Sequence, residues 1–300
     1  MRDLDFAALR ETRATRPEAV AEAAAARVRR PLLGADGRLM VVAADHPARG
    51  ALGVRSTADA MGDRYDLLRR LVTAVRRPGV DGVLGTPDVL EDLLLLGALE
   101  DKVVIGSMNR GGLQGAVFEL DDRFTGYDAA TVASMGFDGG KMLTRIDPDD
   151  PATAATLSAS GRAVSELASC GVMAMVEPFW CRRVDGRVVN DLSAPAVAKS
   201  VGVVSALGVT SAYTWLKLPV VEDMATVMAA TTLPALLLGG DPAGHPDETY
   251  ARWRDALTLP GVRGLVVGRA LLYPPDGDVS GAVDAAVSLV RPALAPLGES

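Results

Sequence analysis

Short apolar runs alternate with longer amphipathic ones eight times between Arg38 and Leu294. That alternation restricts the chain to parallel-sheet architectures. Two parallel strands cannot be joined by a tight turn; they need a long crossover, usually a helix packed on the sheet. The expected strands are Arg38–Asp45, Val80–Gly85, Lys102–Ser107, Phe137–Thr144, Gly171–Glu177, Ser211–Lys217, Leu233–Gly239 and Val262–Gly268. The expected helices between and after them are Ala58–Arg77, Asp88–Leu99, Tyr127–Met135, Ala152–Cys170, Ala194–Leu207, Val221–Ala230, Pro246–Ala256 and Ser280–Leu294. An open dinucleotide-binding sheet would need a Gly-x-Gly-x-x-Gly turn after its first strand. Here Asp45 is followed by His46, Pro47, Ala48, Arg49 and Gly50. The pattern therefore predicts an α/β fold, a (β/α)8 TIM barrel over residues 38–300. Residues 1–37 form an N-terminal helical extension, with one helix expected from Pro17 to Arg29 covering the bottom or a flank of the barrel.

The rest of the composition narrows the partners. A net charge of −7 argues against a nucleic-acid surface. The longest apolar runs, such as Leu233–Leu238, are strand-sized, so no membrane span is expected. The segment Met1–Arg16 is rich in charge and lacks the apolar core of a signal peptide. Two cysteines, Cys170 and Cys181, make no disulfide framework. A reducing cytoplasm and a small-molecule substrate are the expectation, with homo-oligomerisation left open. With only His46 and His245 as histidines, a histidine-held zinc is disfavoured and no cofactor is expected. A carboxylate-held Mg²⁺ on Glu177 and Asp45 is the metal-dependent alternative.

Chemistry in such a barrel gathers where the strands end. Those ends carry Asp45, Asn109, Arg110, Lys141, Glu177, Lys217, Gly239, Gly240, Gly268 and Arg269. The chain has only four lysines, Lys102, Lys141, Lys199 and Lys217, against a total of 31 basic residues. Arginine thus serves wherever a positive charge suffices. The surviving lysines invite a role that a guanidinium cannot fill, because only the amine readily loses its proton and attacks a carbonyl. Period-two alternation puts Tyr213, Trp215 and Lys217 on one face. If that face is the barrel interior, desolvation and a second cation at Lys141 both favour the neutral amine. Glu177 would move protons beside it, and Asp45 would bond a substrate hydroxyl or act as acid-base. Gly239, Gly240, Gly268 and Arg269 suit a phosphate group. The competing readings are structural: an ion pair for each lysine, a turn cap for Asp45, and a loop pair with Asp241 or Glu177 for Arg269.

Taken together, Asp45, Lys141, Glu177, Lys217 and the Gly268-Arg269 step resemble the deoxyribose-phosphate aldolase and tagatose-bisphosphate aldolase superfamily. The likeness runs from about Leu39 to Leu272. It is nearer still to aldolase-like (β/α)8 proteins encoded with bacterial inositol-catabolism enzymes. The resemblance implies a class I aldolase with Lys217 as the Schiff-base residue, Lys141 and Glu177 beside it, and phosphate at the last two strand ends. The tagatose-type motif Asp-Gln-Arg-Gly is replaced here, and Arg49 takes the arginine's place at a different spacing. Among implied substrates is 5-dehydro-2-deoxygluconate 6-phosphate, cleaved to dihydroxyacetone phosphate and malonate semialdehyde. Tagatose bisphosphate, sulfofructose phosphate and deoxyribose phosphate are others. A sugar-phosphate-binding barrel without aldolase activity is the non-enzymatic alternative.

Overall fold

The computed structural model describes residues 4–109, 112–240 and 246–292. Nine strands are present among the described residues: β1 Leu39–Ala43, β2 Gly82–Gly85, β3 Val103–Ser107, β4 Gly139–Ile146, β5 Met173–Val184, β6 Arg187–Asn190, β7 Thr214–Leu218, β8 Ala235–Leu238 and β9 Val262–Val267. Eight of them, all but β6, pair in parallel with both neighbours. The β4–β5 and β1–β9 pairings close the ring, so the fold is a (β/α)8 barrel and the open-sheet alternative falls.

Why these segments form a barrel is visible in their two faces. Within the ring the strands are buried on both sides, which suits the Val-, Leu- and Ile-rich runs of parallel strands. Along β1, Leu39, Val41 and Ala43 point into the barrel while Met40 and Val42 pack under the helices. The same alternation separates Trp215 from Leu216 and Leu218 in β7, and Met173 and Met175 from Ala174 and Val176 in β5. Leu32 and Leu33, in the segment leading into β1, pack against the interior set. They close the end at which the strands begin. The buried Arg27 guanidinium reinforces that end by donating to the carbonyls of Lys102 at 2.6 Å and Gly136 at 2.7 Å. Asp81 joins Arg30 and Arg291, each at 2.7 Å, so segments from both sides of the barrel sequence meet there.

Three features depart from the sequence expectation. Ahead of the barrel there are two helices, Phe6–Thr15 and Ala19–Ala26, instead of one from Pro17 to Arg29. The first is capped by Asp5, whose side chain accepts from Ala8 N, and it lies on the flank, with Phe6 against Tyr65 and Arg13 bonded to Asp92. Second, β5 continues past Glu177 to Val184, leaves the ring and forms an antiparallel hairpin with β6. The turn residues Asp185 and Gly186 have φ of +49° and +77°, the left-handed pair that a two-residue hairpin turn demands. Third, β4 runs two residues beyond the expected Thr144, which brings Arg145 into the inward-facing series. The last helix spans Val279–Val290, and the end of its expected range lies outside the described residues. No helix among the described residues is long and apolar enough to cross a membrane.

Candidate active site

Alternation carries the interior series upward to the C-terminal ends of the strands. Two residues beyond Ala43 comes Asp45, two beyond Met175 comes Glu177, and two beyond Trp215 comes Lys217. Lys141 occupies the same level on β4, with Met142 turned outward. All four side chains are buried; Lys141 is 0% exposed and Lys217 3%. Lys141 Nζ lies 3.2 Å from Asp45 Oδ2 and contacts Glu177 Oε2. Lys217 Nζ lies 3.0 Å from Glu177 Oε1. Ser107 Oγ donates to Asp45 Oδ2 at 3.3 Å, a contact the sequence did not announce. Two ammonium groups and two carboxylates thus form one chain, Asp45–Lys141–Glu177–Lys217. Burying an isolated charge is prohibitive, and here each charge faces an opposite one. The space between Asp45 and Glu177, where a carboxylate-held Mg²⁺ would sit, is occupied by the Lys141 ammonium. Among the described residues, no three His, Cys, Asp or Glu side chains are grouped to hold a metal ion.

Above this chain opens a cavity of about 500 Å³. Glu177 and Lys217 line its floor; His46, Arg49, Glu119, Arg145, Gly239, Gly240, Gly268 and Arg269 line its walls. His46 Nδ1 is 3.9 Å from Asp45 Oδ1. The hairpin contributes Val188 and Asn190, and β5 contributes Phe179. A larger cavity, about 660 Å³, lies outside the barrel between helix Ala152–Ser169 and residues 121–128. It contains none of the four buried charges, so size does not identify the chemistry here.

The expected binding residues divide into groups once their contacts are traced. Gly240 has φ +67°, and a Cβ there would meet nothing within 4 Å, so its backbone faces open space. Gly239 and Gly268 are required for another reason. A Cβ on Gly239 would come 2.6 Å from Val267 Cγ1, and one on Gly268 would come 2.5 Å from Ala43 O. Both are glycine because neighbouring elements pack against them, although both also border the cavity. Arg269 Nη1 donates to Gly53 O at 3.3 Å. Asn109 does not line the cavity. Its Nδ2 donates to Leu143 O at 2.6 Å and Asp122 O at 3.2 Å, and its Oδ1 accepts from Leu143 N at 2.6 Å. Its amide clamps the segment after β3 to β4 and is spent on the backbone instead of facing the cavity. Arg110, Asp241 and His245 lie outside the described residues.

Arg145, Glu119 and Asp122 were not expected from the sequence. Arg145 forks onto Asp122, with Nε and Nη2 at 2.8 and 2.6 Å, and its Nη1 is 3.2 Å from Glu119 Oε1. The same Glu119 oxygen is 3.3 Å from Arg49 Nη2. Burial opposes charge on Arg145, but the two carboxylates outweigh it and hold the guanidinium above its ordinary pKa. Next to it, burial pushes the Cys181 thiol up to about 12, with Arg145 pulling the other way. Cys181 is 1% exposed and Cys170 is exposed. Since the thiolate is the reactive form, native protein at pH 8 should take up one equivalent of iodoacetamide, at Cys170, and a second only on unfolding. Mass spectrometry of labelled peptides checks this; rapid labelling of Cys181 in the folded state would contradict the burial.

A closed parallel barrel with a buried lysine–carboxylate chain at its C-terminal mouth defines a (β/α)8 barrel protein with a charged site at the strand ends. The chain belongs to the Cgl0159-like family, whose model matches residues 37–287. It is similar to the crystal structure of Cgl0159 from Corynebacterium glutamicum, with 57% identity, a TM-score of 0.94, and coverage of 96% of this chain and 97% of that one. An archaeal fructose 1,6-bisphosphate aldolase aligns with a TM-score of 0.65 at 18% identity, covering 90% of this chain and 98% of that one. A Schiff-base-forming fructose-1,6-bisphosphate aldolase aligns equally well, with a TM-score of 0.65 and 19% identity, covering 90% of this chain and 99% of that one. At such identities the last two likenesses speak to the fold. A search of curated protein sequences finds no match.

Proposed function

We propose that the protein is a class I aldolase that cleaves a phosphorylated sugar or sugar acid through a Schiff base on Lys217. The observation that carries this reading is the placement of a nearly buried lysine amine 3.0 Å from a carboxylate, at the floor of a cavity lined by arginines and an open glycine. In its neutral form Lys217 Nζ adds to the substrate ketone. Glu177 Oε1 is within reach to take the ammonium proton and to protonate the departing hydroxyl as water leaves the carbinolamine. The iminium then accepts the electron pair of the breaking C–C bond as the β-hydroxyl gives its proton to Glu177, a carboxylate again after the loss of water. The aldehyde departs, and the resulting enamine is protonated and hydrolysed to the second carbonyl product. Lys141 holds Glu177 and Asp45 in register and keeps positive charge beside the reacting centre. Asp45 stands at the opposite end of the charge chain, buried beneath the cavity lining, where it acts through its contact with Lys141.

The phosphate is assigned to the backbone around Gly240 and to Arg269, with Arg49 on the facing wall. Residues 38–300 form the catalytic barrel in this reading, and residues 1–37 an extension that closes and flanks it. The family resemblance carries the finer assignment: 5-dehydro-2-deoxygluconate 6-phosphate, releasing dihydroxyacetone phosphate, in a cytoplasmic catabolic route. Borohydride trapping tests the chemistry without committing to one substrate. Treatment with dihydroxyacetone phosphate and sodium borohydride is expected to add one reduced adduct to the peptide carrying Lys217. An adduct on another lysine, or none with any phosphorylated ketose tried, would sink the assignment.

A further inference from the structure

Phosphate recognition assigned to Gly240 and Arg269 leaves one cation of the mouth without a role. The helix Pro246–Leu257 follows β8, and its Trp253 is 1% exposed. The indole fits against Gly239, where a Cβ would sit 3.5 Å from Trp253 Cζ2 and closer still to Val267. With Trp253 wedged there, this helix is held close to the end of β8. Thr249 and Arg252 lie one turn and one residue before the wedge, and both border the same cavity as Gly240, Arg269 and Lys217. Arg252 is exposed, its Nε donates to Glu248 O at 3.4 Å, and no carboxylate among the described residues pairs with it. By contrast, Arg145 in the same cavity is bound on every nitrogen. Arg252 is therefore a guanidinium beside an open glycine, available for an anion and not needed to hold the fold.

We propose that Arg252, with Thr249, is a second phosphate-contacting group that selects the phosphorylated form of the substrate. This rests on the aldolase reading for its substrate but not for its chemistry, since the anion contact exists whether or not Lys217 reacts. Two guanidiniums, Arg252 from the helix after β8 and Arg269 from the end of β9, then approach one phosphate from separate elements. A planar fork on each suits a tetrahedral dianion, which offers three terminal oxygens. The Thr249 hydroxyl adds a neutral donor on the same wall.

The test compares wild type, R252A and R254A; Arg254 is exposed on the same helix and does not border the cavity. Binding of inorganic phosphate is measured by calorimetry. Borohydride trapping on Lys217 is titrated with dihydroxyacetone phosphate and, separately, with dihydroxyacetone. Loss of one charge-assisted contact should weaken phosphate binding roughly tenfold in R252A. R252A should also need roughly tenfold more dihydroxyacetone phosphate for half-maximal trapping, while the dihydroxyacetone titration stays as in wild type. R254A should match wild type throughout. Unchanged phosphate binding in R252A, or an equal loss for both ketoses, overturns the role of Arg252 and leaves the aldolase reading standing. Failure of wild type to bind phosphate overturns it as well. If no ketose is trapped by any variant but R252A still loses phosphate, the aldolase reading falls and the role of Arg252 survives.

Discussion

Lys217→Arg is expected to lower turnover by a thousandfold or more while leaving the fold intact. Arginine keeps the positive charge facing Glu177, 3.0 Å away in the wild type, so the buried carboxylate is not stranded. What disappears is the nucleophile, because a guanidinium does not give up its proton to attack a carbonyl. A thousandfold loss corresponds to about 4 kcal/mol of barrier, within what covalent catalysis supplies. Activity is measured as triose phosphate released from a set of phosphorylated sugars and sugar acids, with circular dichroism as the control for folding. Retention of more than about a tenth of the turnover would place the covalent step elsewhere.

The second large effect is on stability. Arg145→Met removes a buried guanidinium from between Asp122 and Glu119. Glu119 keeps its contact with Arg49, but Asp122 loses the two-pronged contact made by Nε and Nη2. Breaking a buried pair from one side costs about 3–5 kcal/mol, because the remaining carboxylate stays desolvated. In a domain of this size about 3 kcal/mol lowers Tm by roughly 5 °C. Lysine at this position should recover little, since a single ammonium cannot reproduce the fork. A fall in Tm under about 2 °C for Arg145→Met would mean that the network is largely solvated.

The parts of the site that were legible in the sequence depend on local rules. Asp45, Glu177 and Lys217 come at the ends of apolar runs, Lys141 follows Gly139-Gly140 inside its own strand, and period-two alternation decides which face they share. No pairing information is needed to place them together, because every strand of a closed parallel barrel ends at the same mouth. Arg145 and Glu119 escaped because their roles depend on partners far away in sequence, and on β4 running two residues further than its apolar stretch. Asn109 shows the opposite case: a polar residue just past a strand end has the look of a substrate ligand, while here its amide is bonded to the backbone of Leu143. The hairpin did leave a mark. Asp185-Gly186 is a strong two-residue turn, but Pro178 directly follows Glu177 and marks a strand end there, so the continuation to Val184 is not read from the sequence. The glycines show that one residue type answers to different needs. Gly240 faces the cavity, whereas Gly268 yields room to the backbone of Ala43.

The length of β5 carries a constraint for anyone who would remodel this barrel. One unbroken strand carries Glu177 in the ring and, beyond it, the outer arm that pairs with β6. Its register against β4 continues past the carboxylate, with Arg145 opposite Phe179 and Ile146 opposite Trp180. The buried carboxylate and the arm that borders the cavity are therefore mounted on a single beam. Transplanting a foreign arm with a one-residue slip in that register would turn Phe179 and its inward neighbours to the opposite face and drag the Glu177 backbone with them. Substrate scope is more safely altered from the β8–β9 side, where separate short elements carry Gly240, Arg252 and Arg269.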